Sequence, residues 1–407
     1  MRDDTRAGIA GIAAFALSFI FGIAGSLMIA PAVAIMALVA FPVEPSFWRP
    51  GRVPISLIAG GLFLVWIALS FLWSPHDDPG QIWRTCLGIP LYTLFAVRIG
   101  KLGGAWQRRV EAAIMFLVAG LGLYLFAEAV LEGSATRGFK IAVEGMGSLP
   151  ERDQMIHVNR NLGHAAVPLL LLSVPAALIA WREGGPLIGA LFVGLAAVAA
   201  FAFDTEVNTV AFVLAGIAAV LTVFWPRTLL AIVFGTVAGM LIVMPLALPD
   251  VIAHIPQGLR DVMPLSWVWR LEIWSYAGEL IREKPWTGYG LDASRPLNAE
   301  MELAGYTIER LPLHPHNATL HIWLETGAVG AVLLASCLVA MGGRIAGARQ
   351  LSRLQAVGVV WILVVYVSLI VFSYGVWQEW HQGTVALAAT SVFFLGAKQP
   401  RGRVPRV

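Results

Sequence analysis

Cysteine and charge are both scarce in this sequence. Only two of its 407 residues are cysteine, and Cys86 and Cys337 each lie in an apolar stretch without a partner motif. The chain therefore offers neither a disulfide framework nor a thiolate metal site. Charged residues make up 13% of the chain, whereas hydrophobic residues make up 58% and the mean hydropathy is +0.75. Because one soluble core cannot bury so much apolar surface, the composition predicts an all-α, polytopic integral membrane protein.

Long apolar runs make up most of the sequence between the few charged residues. Windows of about 20 apolar residues span a bilayer, and they predict about twelve helices in a single transmembrane domain, residues 1–407. The N-terminal run continues to Phe41 without a cleavage site, which favours two short or tilted spans over a signal peptide. The predicted spans start near Ala7, Ala24, Pro54, Ile82, Val110, Asn161, Pro186, Asn208, Thr228, Ala318, Leu354 and Trp377.

The basic residues predict the orientation of the chain in its membrane. The net charge of +3 comes from loops between apolar segments, so orientation explains it better than nucleic-acid binding does. Short cytoplasmic loops are positive, which predicts cytoplasmic termini and places the gaps at 132–160 and 248–316 outside; in the inner membrane of a bacterium, that is the periplasmic face. The residues assigned to the inner side are Arg49, Arg52, Arg98, Lys101, Arg108, Arg109, Arg182, Arg227, Arg344, Arg349, Arg353, Lys398, Arg401, Arg403 and Arg406.

The gap at 248–316 is where we expect the active site. An apolar face recurs there at helical spacing, and proline after Lys284 ends the pattern before a turn at Gly288 and Gly290. Its tryptophans predict an amphipathic helix at the membrane interface. The face consists of Trp267, Leu271, Trp274, Ala277 and Ile281.

Histidines follow at the end of the same gap. Asn317 is a candidate N-cap, which would place His316 just ahead of a helix whose N–H groups and dipole suit a phosphate. The same dipole favours a neutral His316 that can accept a proton. A metal site built from His314, His316 and His321 is disfavoured, because no carboxylate or cysteine lies at a recognised ligand spacing. His321 and Glu325, four residues apart, predict a pair on one helix face instead.

Six motifs together resemble the O-antigen ligase family, which includes related lipid-linked polysaccharide polymerases. The most diagnostic are the histidine motif, in which Gly327 and Gly330 follow His316-Asn317, and the arginine motif that begins at Arg270. Gly327 with Ala331 also predicts a close helix–helix contact. The other motifs are Gly288-Tyr-Gly-Leu-Asp-Ala-Ser-Arg295 after Pro285, Asn159-Arg-Asn161 opening the sixth span, Trp66 to Ser74, and Tyr374-Gly-Val-Trp-Gln378.

The resemblance implies a glycosyltransferase. In that family a glycan passes from undecaprenyl diphosphate to an acceptor hydroxyl on the periplasmic side, without a nucleotide sugar, a metal or another cofactor. It also implies that Arg270 helps bind the donor diphosphate and that His316 lies at the reaction centre, in a single displacement with inversion. The expected acceptor is a lipid A core or another glycan.

One departure from the family pattern concerns a donor-binding cation. Many members place an arginine or lysine at the outer start of the eighth span, where this chain reads Asp204-Thr-Glu-Val-Asn-Thr209. Arg160, Arg84 or Arg295 could compensate, and Arg160 is favoured because it begins a span on the same face. The expected substrate-binding set is Arg160, Arg84, Arg295, His314, Asn317 and Trp274.

Several alternatives stay open on the sequence. Ligation of a finished glycan and polymerisation of lipid-linked repeat units share donor chemistry, so the residues do not separate them. A transporter or flippase predicts mid-membrane charges and inverted repeats, and neither is clear. Tyr374, Trp377 and Trp380 are typical of an interfacial aromatic belt but would also suit an acceptor cleft. Arg84 and Glu128 either serve the site or snorkel to an interface.

Overall fold

The structure is a computed structural model that describes residues 2–48, 51, 53–203 and 205–396. It confirms an all-α, polytopic architecture with one small hairpin. Its elements are α1 (Arg2–Ile23), α2 (Ile29–Val39), α3 (Ile55–Ser70), α4 (Gly80–Gly100), α5 (Gly104–Val130), α6 (Ser134–Glu144), α7 (Glu151–Gly184), α8 (Pro186–Phe201), α9 (Glu206–Phe224), α10 (Pro226–Ala253), α11 (Gln257–Arg260), α12 (Leu265–Glu283), β1 (Glu300–Leu303), β2 (Tyr306–Glu309), α13 (Ala318–Ala346), α14 (Arg353–Phe372) and α15 (Glu379–Phe393).

Most helix starts lie close to the predicted ones. Among the described residues, nine helices are long and apolar enough to cross a membrane, and α2 and α8 are shorter apolar helices. The count of about twelve spans stays a prediction. The sixth span differs, because α7 begins at Glu151, well before the predicted start at Asn161. Asn159 and Arg160 therefore lie within this helix and do not open it.

Two hydrophobic clusters organise the bundle. The first surrounds α7 and includes Phe15, Leu121, Leu170 and Trp361. The second joins α3, α10, α12 and α13. Because α12 packs within this second cluster, its residues are positioned by the bundle and not by a free loop.

The gap at 248–316 contains more structure than one helix. Helix α10 continues into it as far as Ala253, α12 follows, and β1 pairs antiparallel with β2 between Glu300 and Glu309. Ala304 and Gly305 turn the hairpin with φ values of +52° and +81°. Each strand is only four residues long, and although β1 alternates between polar and apolar residues, such a short alternation is too weak a signal to predict a strand.

Basic residues assigned to the inner side meet at one end of the bundle. Arg98 pairs with Asp4 at 3.0 Å, and Arg182 pairs with Glu111 at 2.6 Å. The 248–316 gap lies at the other end, with the α3–α4 and α14–α15 connections. Which end faces the cytoplasm stays a prediction. The assigned residues outside the described ranges are Arg49, Arg52, Lys398, Arg401, Arg403 and Arg406, and Asp204 of the eighth-span motif also lies outside them.

Candidate active site

Helix α12 places Arg270 beside the histidine motif. The indole Nε1–H of the buried Trp274 donates to the carbonyl oxygen of Pro315 at 3.1 Å. Arg270 precedes Trp274 by four residues and thus lies on the same helix face, one turn away. The predicted helix and its stop at Lys284 are confirmed. Its apolar face packs against α10 and α13, and a position at the membrane interface stays a prediction.

Arg270 is half-buried and lacks a carboxylate partner. Its guanidinium lies 5.1 Å from the ring centre of Trp267 and donates weakly to the carbonyl of Ser266 at 3.4 Å. Within the described part of the chain, no carboxylate lies within ion-pair distance of it. Burial lowers the pKa of Arg270, and the negative charge of Glu206, whose carboxylate accepts from Trp267 Nε1 at 3.0 Å, opposes that effect.

His316 is held as one neutral tautomer. Its ring Nδ1 lies 2.5 Å from the carbonyl oxygen of Ser373. A carbonyl oxygen can only accept, so Nδ1 carries the proton and Nε2 keeps a free lone pair. Burial lowers the pKa of His316, the Ser373 hydrogen bond opposes this shift, and the nearby charge of Arg270 adds to it. Burial, and not the helix dipole named in the sequence analysis, is thus the main cause that lowers the pKa of His316.

Asn317 caps α13, as the sequence predicted. Its side-chain oxygen accepts the backbone N–H groups of Thr319 at 3.0 Å and Leu320 at 3.2 Å. Because the cap uses both N–H groups, these two are not available to a phosphate. The structure therefore gives Asn317 a positioning role for His316. An anion at this helix start could therefore not bind the N–H groups of Thr319 and Leu320, which the predicted site would have used.

His314 lies beside His316, with the ring centres 4.3 Å apart. Its Nδ1 accepts the backbone N–H of His316 at 3.1 Å, which leaves the proton of a neutral imidazole on Nε2. Burial is the main cause that lowers the pKa of His314, to about 2. The ring packs against Gly375, where a Cβ would stand 2.8 Å from His314 Cδ2.

The connection between α14 and α15, residues 373–378, positions all three histidines. Besides Ser373 and Gly375, it supplies the backbone N–H of Val376, which donates to His321 Nδ1 at 3.3 Å. His321 Nε2 then donates to Glu325 at 3.0 Å, which confirms the predicted helix-face pair. The sequence predicted only belt or cleft aromatics in this segment. Its backbone contacts join residues that are distant along the chain, and no local sequence pattern predicts such contacts.

Glu325 is fully buried at the centre of a hydrogen-bond network. Its carboxylate accepts from Ser294 Oγ at 2.6 Å, from the backbone N–H of Asp292 at 2.7 Å and from Trp377 Nε1 at 2.6 Å, as well as from His321. These bonds fasten the Gly288–Arg295 motif and the 373–378 segment to α13. The sequence contains one signal for this role, because Glu325 is a charged residue within an apolar run.

Gly288 and Gly327 allow the turn at residues 286–288 to pack directly against the backbone of α13. A Cβ on Gly288 would lie 2.6 Å from the Glu325 carbonyl carbon, and one on Gly327 would overlap the backbone of Trp286. Both glycines have positive φ, and α13 departs from helical geometry at Gly327. The predicted role of Gly327 in a helix–helix contact is therefore wrong, since it makes room for a turn.

Arg84 and Arg295 share a cavity of about 260 Å³ with His314. Arg84 Nε pairs with Glu379 at 2.7 Å, and Arg295 Nε pairs with Asp292 at 2.8 Å. Burial and the charge of Glu325 raise the pKa of Asp292, whereas Arg295 lowers it. The other residues that line the cavity are Gln81, Leu313, His321, Gly375, Trp377 and Gln378.

Arg160 lies apart from this cavity. It is exposed on α7 and has no ion-pair partner among the described residues. Its charge acts on Tyr374, whose pKa is raised by burial and lowered by Arg160. Since Tyr374 follows Ser373, Arg160 approaches the 373–378 segment from another side. Asn208, in the segment that lacks the cation expected from the family resemblance, is buried and donates to the Gly163 carbonyl at 3.2 Å.

The expected site residues thus fall into three places. Arg270, Trp274, His316 and Asn317 surround Pro315; Arg84, Arg295 and His314 line the cavity; and Arg160 lies on α7. Within the described ranges, no group of three histidine, cysteine, aspartate or glutamate side chains is arranged for a metal ion. Independence from a metal stays a prediction.

Fold and site define a polytopic membrane protein with a histidine- and arginine-rich centre at one end of its bundle. Residues 190–335 match the family model described as O-antigen ligase. A protein of Rickettsia conorii named "Putative polysaccharide ligase" is 27% identical over 330 residues, covering 78% of this chain and 74% of that protein. One of the same name from Rickettsia prowazekii is 24% identical over 328 residues, covering 78% and 75%.

A shorter match has higher identity. A "Putative polysaccharide ligase" of Rickettsia felis is 34% identical over 115 residues, which cover 27% of this chain and 28% of that protein. No solved structure matches the chain. The chain is thus similar to the O-antigen ligase family over residues 190–335, and over most of its length to proteins named as putative polysaccharide ligases.

Proposed function

We propose that this protein transfers a glycan from undecaprenyl diphosphate to an acceptor hydroxyl on the periplasmic face of the bacterial inner membrane. One observation carries the proposal. A neutral His316, with its Nδ1 proton held by Ser373 and its Nε2 lone pair free, lies in the field of the unpaired Arg270 guanidinium. A base beside a cation that has no ion-pair partner among the described residues suits a reaction in which a hydroxyl loses a proton and an anion departs.

His316 acts as the general base in this proposal. Its Nε2 takes the proton of the acceptor hydroxyl while that oxygen attacks the anomeric carbon of the donor sugar. The bond from this carbon to the diphosphate oxygen breaks in the same step, which inverts the configuration. The Ser373 carbonyl stabilises the imidazolium that forms, since it accepts from Nδ1 in both protonation states.

Arg270 stabilises the departing undecaprenyl diphosphate. An arginine already paired with a carboxylate has less charge to offer, whereas Arg270 has no such partner among the described residues and lies partly out of water. Arg160 is the second candidate for the diphosphate, because its exposed guanidinium is also without an ion-pair partner in the described chain. This assignment would compensate for the missing cation near Asn208.

Substitution at the proposed centre tests the function. Arg270→Ala and His316→Ala are expected to abolish glycan transfer in membranes while the protein accumulates normally. Arg282→Ala, on the exposed side of the same helix, and His157→Ala, exposed on α7, are matched controls that should retain transfer. Normal transfer by either site variant would remove the assignment. Arg160→Ala should weaken transfer, and full activity there would refute the compensation.

Ligation and polymerisation use the same donor chemistry, and the names of the Rickettsia relatives favour ligation. Gene deletion followed by gel analysis of envelope glycans separates the two. Long chains left on undecaprenyl diphosphate support a ligase, with a lipid A core or similar acceptor. Single repeat units on the normal acceptor support a polymerase.

A further inference from the structure

The cavity beside His314 differs in charge from the centre around Arg270. Its two arginines are each paired with a carboxylate, Arg84 with Glu379 and Arg295 with Asp292. Asp78 lies 3.7 Å from Arg84 and adds a further negative group nearby. The cavity therefore holds cations and anions in balance, with no excess positive charge to attract a phosphate.

Its walls offer both hydrogen-bond donors and acceptors. His314 Nε2–H and the terminal amino groups of Arg295 are donors that no partner uses within the described part of the chain. Asp292 and Glu379 each have a second carboxylate oxygen that can accept a hydrogen bond. No donor in the described part of the chain uses these two oxygens. A diphosphate presents only acceptors and negative charge, whereas each sugar hydroxyl both donates and accepts.

One wall of the cavity is apolar and rigid. Trp377 is buried, and its indole N–H is already used by Glu325, so the ring can offer only its carbon surface. Gln378 lines the same cavity, and its side-chain oxygen has no hydrogen-bond partner among the described residues. A ring with hydroxyls around its edge and C–H groups on its face fits such a mixed lining.

We propose that this cavity binds one uncharged sugar residue, from either the acceptor or the donor glycan, while the diphosphate lies near Arg270. The inference rests on the proposed function and deepens it by assigning opposite electrostatic tasks to the two sides of the His314–His316 pair. Arg84 and Arg295 become sugar-binding residues under this proposal, and they do not replace the missing donor-binding cation.

Saturation-transfer difference NMR on the full chain in nanodiscs tests the proposal. The probes are the methyl glycosides of glucose, galactose and N-acetylglucosamine, each with its 6-phosphate. The wild type should bind at least one neutral glycoside more tightly than its phosphate. Glu379→Gln removes the nearer of the two carboxylates beside Arg84 and should shift that preference toward the phosphate by about fivefold, the effect of a unit charge about 4 Å away in water-like surroundings.

Two further variants separate the effect of charge from the effect of hydrogen bonding. Gln378→Leu keeps the charge and should weaken binding of the neutral glycoside, whereas Glu144→Gln, exposed on α6, is a matched control that should change nothing. Thermal unfolding identifies a variant that has lost its fold. Failure of the wild type to bind any neutral glycoside, tighter binding of the phosphates, or an unchanged preference in Glu379→Gln would each overturn the proposal.

Transfer kinetics distinguish the source of the sugar and the two levels of inference. A raised KM for the acceptor in Gln378→Leu assigns the cavity to the acceptor, and a raised KM for the donor assigns it to the donor glycan. A wild type that transfers glycan through His316 but binds no neutral sugar here would sink this inference alone. A wild type that binds the sugars but transfers no glycan would sink the proposed function.

Discussion

Replacement of Glu325 by glutamine should destabilise the site end of the bundle. The carboxylate accepts from five donors: one oxygen serves Ser294 N–H, Ser294 Oγ–H and His321 Nε2–H, and the other serves Asp292 N–H and Trp377 Nε1–H. A glutamine retains one acceptor oxygen. Its amide –NH₂ must then face donors that it cannot satisfy.

The smaller loss arises when the amide oxygen faces the three donors of the first group. Asp292 N–H and Trp377 Nε1–H are then orphaned in a fully buried place. An unsatisfied buried group costs about 1–3 kcal/mol, so the two together cost about 2–6 kcal/mol. That is a large part of the 5–15 kcal/mol by which typical proteins are stable.

Thermal unfolding in nanodiscs, followed by tryptophan fluorescence, measures this loss. Glu325→Gln should unfold several degrees below the wild type, whereas Glu300→Gln on the exposed strand β1 should not. Glycan transfer by the folded Glu325→Gln protein should also fall, because the 373–378 segment loses the bond of Trp377 to α13 and keeps only that of Val376. Unchanged unfolding temperature and transfer in Glu325→Gln would refute the network as the support of the site.

Two further predictions concern the histidines. Because burial lowers the pKa of His316 below its ordinary value, the acid limb of kcat/KM for glycan transfer should be centred below pH 6.5, where His316 becomes protonated and loses its lone pair; a pH–rate profile with an acid limb centred above 6.5 would contradict a neutral His316. Gly375→Ala should lower kcat at least about tenfold with normal protein abundance, because its Cβ would push the His314 ring that holds the His316 backbone. Gly343→Ala on α13, with open space at its Cβ, is the control, and equal kcat in the two variants would disprove the packing argument.

Local patterns predicted the local parts of this structure. The end of α12 before Lys284, the cap at Asn317 and the His321–Glu325 pair each depend on residues within one or two helical turns, and all three are confirmed. The early start of α7 escaped prediction, because a hydropathy window sees only the apolar part of a helix. The polar turns before Asn161 continue the same helix beyond that part.

Contacts between distant segments were beyond the sequence patterns. No spacing rule connects Ser373 with His316 or Gly375 with His314, yet these contacts decide which histidine nitrogen carries a proton. The same limit applies to Arg84. Its position suggested a donor-binding or snorkelling cation, and only the fold brings Glu379 within 2.7 Å to neutralise it.

The arginines at the site end of the bundle therefore differ mainly in whether a carboxylate pairs with them. Their distance from the histidines distinguishes them less. Arg84 and Arg295 are matched with carboxylates in a wall of mixed polarity, whereas Arg270 retains its charge beside a neutral imidazole. A transferase needs both environments at once, because its sugar must be held without charge while its leaving group must be stabilised by charge. The 373–378 segment separates these environments and orients the histidines between them. Since this segment lies beyond the 190–335 family match, the matched region does not by itself contain the complete centre.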